Sequence, residues 1–327
     1  MRRRDFVAKI GASMAAWPLV ARAQTGSSLP VVGFLNSASA DTYRFNADAF
    51  REGLAEAGFV DGRNVSIEER WANNDYNALP VLAAELVKKG VVAIAATGDV
   101  PSARAAKSVT STLPIVFTIG GDPVRFGFVE SLARPGGNLT GIAFVPNQLG
   151  AKRVQLLHDV SPRIARIAYL VNPDNLNAGA EQADVSDGAA TLGIQVVVQK
   201  ARNSAEIDTA FAEIAKARVD GLISGTDPAL LDRRDQIAQL AERHRLPAIS
   251  FTRQFAVAGL LMSYGPDIGW MYRQAGGQMG RILKGVKPAD IPVMQSVRFD
   301  SVLNITTAKK LGVTIPPSFL ASVDVVR

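Results

Sequence analysis

A repeated series of strand ends constrains the fold of this chain more than any other feature. Three apolar runs in the first half end in small polar residues, and the second half repeats the series in the same order. Ligands of open parallel sheets lie at the carboxyl ends of the strands, so two such lobes would face one cleft. The paired segments are 31–36 with 167–172, 97–101 with 225–228, and 113–118 with 246–252.

Strand-like and helix-like segments alternate between these ends. The continuous apolar run 91–96 predicts a buried strand, and the amphipathic stretch 78–89 before Gly90 predicts a helix. Alternation of this kind is typical of parallel sheets with right-handed helical crossovers. We therefore predict an α/β fold of two Rossmann-like lobes.

The chain is expected to pass between the lobes several times. A strand at 139–144 leads out of the first lobe, a return strand lies at 260–263, a long helix at 268–284 docks back on the first lobe, and 297–299 crosses again. A single helix is predicted at 230–243. The expected boundaries assign residues 30–141 and 264–296 to lobe 1, and residues 142–263 and 297–327 to lobe 2.

Residues 1–23 have the layout of an export signal. A positive start at Arg2–Arg4 precedes an apolar run at 10–20, which is too short to span a bilayer, and residues 21–23 form a small-x-small cleavage site. The Arg3-Arg4 pair and Lys9 favour the twin-arginine route over the general one. A periplasmic mature protein is expected; the alternative is an amphipathic first helix.

Composition excludes several classes of function. The chain has no cysteine, which removes disulfides, thiol catalysis, cysteine-zinc sites and a lipid-modified cysteine. His158 and His244 stand apart, so neither a metal site nor a cofactor is expected. The net charge of +6 is scattered beyond the first residues, and no basic run predicts nucleic-acid binding.

Catalytic motifs are also missing from the sequence. There is no Gly-x-Ser-x-Gly elbow, no His-Glu-x-x-His and no phosphate loop, and the paired glycines at 136–137 precede a strand, as in a turn. We therefore do not expect an enzyme, and an exported hydrolase is the least favoured interpretation.

Eight short motifs carry a family resemblance that covers nearly all of the chain after the expected export signal. The chain resembles the substrate-binding proteins of bacterial ABC importers, of the type that includes tryptophan-type and related amino-acid binders. The motifs are the segments 32–37, 53–59, 61–65, 114–117, 121–124, 134–141, 264–266 and 282–285.

The resemblance implies a type I periplasmic-binding-protein fold with three inter-lobe crossovers. It also implies a monomer that closes around a small-molecule solute, such as an amino acid or a related carboxylate, and delivers it to an ABC permease in the membrane. An extracytoplasmic sensor that reports its ligand to a membrane receptor is the alternative.

Candidate ligand-binding residues in lobe 1 follow its three strand ends. Glycines there allow backbone N–H groups to approach an anion. Asp122 is a candidate partner for an ammonium group, or else a turn residue before Pro123. Asp99 is expected to cap a helix. The candidates are Asn36, Ser37, Thr97, Gly98, Gly120, Gly121 and Asp122.

Lobe 2 offers a matching set. Asp227 is a candidate for an ammonium group or a helix cap before Pro228, and Arg253 for a carboxylate or a surface role. Tyr264, Phe34 and Tyr43 are candidates for apolar contact, although the core is favoured for Phe34. The candidates are Asn172, Asn175, Gly225, Thr226, Asp227, Arg253 and Tyr264.

Overall fold

The computed structural model of the protein describes residues 29–144 and 149–327. The expected export signal at 1–23 lies outside the described residues. Two sheets of mostly parallel strands, each covered by helices, confirm the α/β fold class. Among the described residues, no helix has both the length and the apolarity that crossing a bilayer requires.

The first sheet has six strands, and all its pairings are parallel. Its spatial order is β11-β5-β4-β3-β1-β2 in chain-order numbering. The strands are β1 (Val31–Asn36), β2 (Ser66–Trp71), β3 (Ala93–Thr97), β4 (Ile115–Gly120), β5 (Leu139–Phe144) and β11 (Met294–Gln295). Its helices are α1 (Ala40–Glu56), α2 (Leu79–Lys88), α3 (Val100–Val109) and α10 (Ile268–Leu283).

The second sheet has seven strands in the order β13-β12-β10-β9-β8-β6-β7, and only the β10–β12 pair among them is antiparallel. The strands are β6 (Arg166–Val171), β7 (Gln195–Lys200), β8 (Gly221–Ser224), β9 (Ala248–Ser250), β10 (Met262–Pro266), β12 (Phe299–Asn304) and β13 (Asp324–Val326). The helices are α4 (Leu149–Val160), α5 (Ala178–Thr191), α6 (Ser204–Ala217), α7 (Pro228–Asp232), α8 (Arg234–Arg243), α9 (Arg253–Ala258), α11 (Ile305–Leu311) and α12 (Pro317–Leu320).

The chain passes between the two sheets after β5, between β10 and α10, and between β11 and β12. Strand pairing places the first two of these passages slightly later than the boundaries expected from the sequence. β5 stays in register with β4 as far as Phe144, and β10 pairs with β12 as far as Pro266. Sheet hydrogen bonding therefore moves the boundary past 141 and past 264.

Helix α10 returns from the second sheet and packs along α1. Glycines make this close approach possible, because a Cβ atom at Gly53 or Gly276 would overlap backbone atoms of the facing helix. Helix α1 begins at Ala40, where the Ser39 hydroxyl caps it by accepting a hydrogen bond from the Thr42 amide.

Two helices in lobe 2 differ from the sequence expectation. The single helix predicted at 230–243 is two helices, α7 and α8, which break at Arg233 (φ −102°, ψ 16°). Residues 253–258 form α9, which the sequence analysis did not foresee. The Gly259 residue ends α9 in the left-handed conformation (φ 119°) that glycine favours.

Candidate ligand-binding site

A cavity lies where the carboxyl ends of the two sheets face each other. Together with the part of its mouth that is open to solvent, it spans about 370 Å³ of space not filled by protein atoms. Both lobes contribute to its wall. The lining residues are Tyr43, Gly98, Asp99, Thr118, Ile119, Gly120, Phe144, Thr226, Asp227, Pro228, Phe251, Ile268, Met271 and Tyr272.

Asp99 brings a carboxylate from lobe 1 into this cavity. The residue has φ 85°, a region that costs a non-glycine residue about 1–3 kcal/mol and is common at ligand sites. It makes no side-chain bond that caps α3. Instead, Oδ1 accepts from the Gly120 amide at 2.8 Å and Oδ2 from Asn175 Nδ2 at 3.2 Å. Burial raises the pKa of Asp99 to about 6.

Asp227 brings a second carboxylate from lobe 2. The side chain is only 1% exposed, and burial raises its pKa despite the many hydrogen bonds that favour its ionised form. It caps the short helix α7. The five donors to it are the Ala229 and Leu230 amides, the Asn172 and Asn175 side chains and the Tyr76 hydroxyl, at 2.9–3.1 Å.

The two carboxylates therefore differ in how many hydrogen-bond acceptor sites remain available to a ligand. A carboxylate has about four acceptor sites. The five donors occupy all those of Asp227, whereas Asp99 has three protein donors, which are the Gly120 and Val100 amides and the Asn175 side chain, and remains partly exposed to the cavity. Asp99 is thus the carboxylate with capacity for a ligand, and Asp227 adds negative potential close by.

The rest of the wall is largely aromatic and apolar. Tyr43 and Tyr272 lie with ring centroids 6.3 Å apart, and Phe144 and Phe251 add two further rings. Gly120 is needed beside Phe144, because a Cβ atom there would come within 2.5 Å of the ring carbon Cζ. Flat apolar surfaces of this kind suit an aromatic or branched side chain.

Several predicted residues of lobe 1 lie directly behind the wall. Asn36 donates to Thr97 Oγ1 at 2.9 Å and to the Tyr272 hydroxyl at 3.0 Å, and Ser37 donates to the Gly98 carbonyl. Gly98 has φ 82°, and a Cβ atom there would lie 2.5 Å from Asn36 Oδ1. These residues hold the Gly98 turn and the Tyr272 ring in place.

Thr226 of lobe 2 is positioned by a buried ion pair behind it. The Thr226 amide and hydroxyl both donate to the carboxylate of Glu181, at 2.8 and 2.6 Å. Glu181 pairs in turn with Arg153, whose Nε donates to the Tyr264 carbonyl at 2.9 Å. Gly225 is adjacent, where a Cβ atom would lie 3.0 Å from the Tyr169 hydroxyl.

Hydrogen bonds across the cleft join the lobes around the cavity. Asn175 of lobe 2 reaches Asp99 of lobe 1, and Tyr76 of lobe 1 donates to Asp227 of lobe 2. Asn177 Nδ2 also donates to the Gly120 carbonyl. The lobes are therefore in a closed arrangement.

The match to a known family decides the identity of this two-lobed chain. A family model described as ABC transporter substrate binding protein matches residues 30–327. The chain belongs to the ABC transporter substrate-binding protein family. This result confirms the resemblance that the eight motifs indicated.

Known relatives of this substrate-binding protein resemble it over most of its length. A tyrosine-binding protein from Clostridioides difficile (strain R20291) is 28% identical over 265 residues, 80% of this chain and 75% of the relative. The crystal structure of a conserved domain protein from Vibrio cholerae matches with a TM-score of 0.85 at 25% identity, covering 92% of this chain and all of the other.

A second similar structure contains a ligand. It is an ABC domain from Streptococcus pneumoniae in complex with L-Trp, with a TM-score of 0.84 at 25% identity, covering 91% of this chain and all of the other.

Of the fourteen candidate residues of this substrate-binding protein, four line the cavity and ten do not; Asp122, Arg253, Tyr264 and Gly121 are among the ten. Asp122 is exposed and accepts from the Val124 amide at 2.9 Å, as a turn residue does. Arg253 is exposed at the start of α9 and pairs with Asp324 at 2.9 Å. The Tyr264 ring stacks on Phe299, with centroids 6.1 Å apart. Gly121 follows Gly120, which lines the cavity, and a Cβ atom at Gly121 would lie 2.5 Å from Asn177 Oδ1.

Sequence reasoning missed part of the wall. Asp99 was expected to cap α3, and Phe251 and Thr118, although inside the duplicated segments, were not chosen. Tyr272 and Met271 come from α10, which follows no strand end, so the strand-end pattern gave no signal for them. Phe34, in contrast, packs in the core against Phe50 at a ring distance of 5.4 Å.

Proposed function

We propose that this substrate-binding protein captures an amino acid with an aromatic side chain between its two lobes. The observation that carries the proposal is the partly free carboxylate of Asp99, which faces a cavity walled by Tyr43, Phe144, Phe251 and Tyr272. The ligand ammonium binds Asp99, and the ligand ring packs on these aromatic side chains.

Electrostatics supports an ammonium at this position. Burial raises the pKa of both Asp99 and Asp227. The hydrogen bonds from the protein therefore do not fully offset the free-energy cost of burying the ionised carboxylates. A desolvated carboxylate is stabilised by an opposite charge within reach. The ligand supplies that charge, which explains why two acidic groups are retained in one cleft.

The relatives support the same class of ligand. One relative is named a tyrosine-binding protein, and one similar structure is a complex with L-Trp. Both amino acids combine an ammonium with a large aromatic ring, as the wall of this cavity requires. A cavity lined by both lobes supports closure as part of the proposal, because a ligand that touches both lobes stabilises the arrangement in which they meet.

Delivery to a membrane permease is the second part of the proposal. It is supported by membership of the ABC transporter family and by the signal-like residues 1–23, which favour a location outside the cytoplasm. The closed protein presents both lobes to the permease at once, so an empty open protein is a poorer partner.

A ligand panel tests the proposal directly. Mature protein is titrated calorimetrically with the protein amino acids and with sugars, nucleosides and organic acids as comparison classes. We expect binding confined to amino acids, with aromatic ones tightest. Binding of a sugar or a nucleoside with no response to any amino acid would contradict the proposal.

A further inference from the structure

Building on the proposed function, we propose that the cavity selects its ligand by positive charge, so that the ammonium is required and the α-carboxylate of an amino acid is dispensable. Arylalkyl amines and aromatic amino-acid amides would then be ligands of the same site. The argument rests on the charges and hydrogen-bond donors that the cavity wall contains.

The charged groups in the wall are all of one sign. Of the lining residues that the structure describes, Asp99 and Asp227 are ionisable acids, and none is a lysine, arginine or histidine. Tyr43 and Tyr272 also line the cavity, and Tyr76 adjoins it. Burial raises the pKa of each of these phenols, so they remain neutral hydroxyl groups.

Three arginines around the cavity already have partners. Arg153 lies behind Thr226 and is paired with the buried carboxylate of Glu181. On the outer rim, Arg234 and Arg253 pair with Asp235 and Asp324 at 3.7 and 2.9 Å. Asp232, the other acid close to Tyr43, accepts from Asn74. No guanidinium fork in the described wall is therefore available to a ligand carboxylate.

Backbone amides are the other usual carboxylate donors, and many in this wall already bond to the protein. The Asp99 and Gly121 amides donate to the Thr118 and Phe144 carbonyls at 3.2 and 2.8 Å. The amides of Gly120, Thr226, Ala229 and Leu230 donate to the carboxylates of Asp99, Glu181 and Asp227. Thr118 adds a hydroxyl, which suits an amide oxygen as well as a carboxylate.

Charge balance then favours a cation over a zwitterion. An ammonium beside Asp99 compensates one carboxylate, whereas a buried α-carboxylate adds a further negative charge next to Asp227. Like charges in a desolvated site cost free energy unless an opposite charge or strong donors offset them. Neutralising or removing the α-carboxylate relieves that cost and leaves the ammonium and ring contacts intact.

A series of five matched ligands tests this inference. The probes are L-tyrosine, L-tyrosinamide, tyramine, N-acetyl-L-tyrosine and 3-(4-hydroxyphenyl)propionate, titrated calorimetrically near neutral pH. We expect tyrosinamide and tyramine to bind at least as tightly as tyrosine, and the two ligands without an ammonium to bind at least tenfold more weakly.

Two results would overturn the inference, and they are distinguishable. Tight binding of tyrosine with tyramine and tyrosinamide each more than tenfold weaker would show a dedicated carboxylate site and leave the proposed function standing. No binding by any of the five, with a full response to another class of solute, would remove the proposed function as well.

A variant of the protein provides a second test of the inference. Asp99→Asn removes the ammonium partner, so the affinity for tyramine should fall at least tenfold while the unliganded variant keeps a cooperative melting transition. Unchanged tyramine affinity in the folded variant would contradict the inference. Asp174→Asn, at an exposed site outside the cavity, is the matched control.

Discussion

Asp99 is the residue on which ligand affinity should depend most directly. Its carboxylate faces the cavity with three protein donors and with capacity for one more. Asp99→Asn keeps the size of the side chain and removes its charge. We expect the affinity for an aromatic amino acid to fall by about tenfold or more, because a hydrogen bond to a charged group contributes roughly 1.5–3 kcal/mol. Titration calorimetry measures the change.

The unliganded Asp99→Asn protein separates lost contacts from lost folding. The pKa of Asp99 is raised to about 6, so its ionised form opposes the closed fold above that pH, and the penalty disappears as the pH falls through 6. The variant should therefore melt at the same or a higher temperature than the natural protein at neutral pH. A clearly lower melting temperature would attribute weak binding to misfolding.

Asp122 is an acidic residue outside the cavity wall, and its substitution should not change ligand affinity. The sequence made it a candidate for the ammonium, but its exposed carboxylate accepts a hydrogen bond from the Val124 amide in a turn. Asp122→Ala should leave ligand affinity unchanged and cost about 0.5–1.5 kcal/mol of stability at most. A tenfold loss of affinity in calorimetry would place Asp122 back in the site.

Among the elements, the α1–α10 pair depends on glycine at the contact. A Cβ atom at Gly276 would overlap the Phe50 carbonyl oxygen, whereas a Cβ atom at the adjacent Gly277 meets nothing within 4 Å. Gly276→Ala should therefore destabilise the protein by about 1–3 kcal/mol through overpacking. Gly277→Ala should be neutral or stabilise it by up to about 1 kcal/mol through helix propensity.

Chemical denaturation of the two glycine variants gives the comparison. Equal midpoints for Gly276→Ala and Gly277→Ala would show that α10 moves away from α1 at little cost. Since α10 also carries Tyr272 and Met271 to the cavity, a shifted helix should weaken ligand binding as well.

The strands were more accessible to sequence reasoning than the helices around the site. Continuous apolar runs located β1, β6 and β8, because buried parallel strands must be apolar on both faces. The short helix α9 and the break between α7 and α8 had no such signal, since tertiary contacts and the Asp227 cap decide them.

The candidate site likewise combines residues that the sequence predicts with residues that it does not. Residues at strand ends, such as Gly98 and Thr226, were predictable because the topology brings the carboxyl ends together. Tyr272 comes from a helix that crosses between the lobes, and only the three-dimensional packing of α10 reveals it. The role of Asp99 depends on a backbone φ of 85°, which the residue type does not disclose.

For the whole molecule, the two lobes share their polar groups across the cleft. Asn175 Nδ2 lies 3.2 Å from Asp99 of lobe 1 and 2.9 Å from Asp227 of lobe 2, so closure brings two acidic groups to one donor. Separate lobes would leave each carboxylate better hydrated. A ligand ammonium therefore favours the closed arrangement more than the open one.

The pH dependence of binding tests this coupling in the complete protein. In the proposed complex the ionised carboxylate of Asp99 binds the ammonium, and because the pKa of Asp99 is raised to about 6, protons would compete with the ligand below that pH. The pKa of Asp227 is raised in the same direction. Affinity should be full above neutral pH and should weaken by up to about tenfold for each pH unit below 6.

Other ionisable groups should not obscure the pH dependence of ligand affinity. Tyr43 and Tyr76 have pKa values well above the ordinary range because they are buried, and His244 stacks on Phe211 of α6, outside the cavity wall. Calorimetry from about pH 8 to about pH 5 should show proton release on binding near the pKa of Asp99, since the ammonium displaces the proton. Asp99→Asn should bind weakly and with little pH dependence; an equally steep profile in that variant would assign the titration to Asp227 instead.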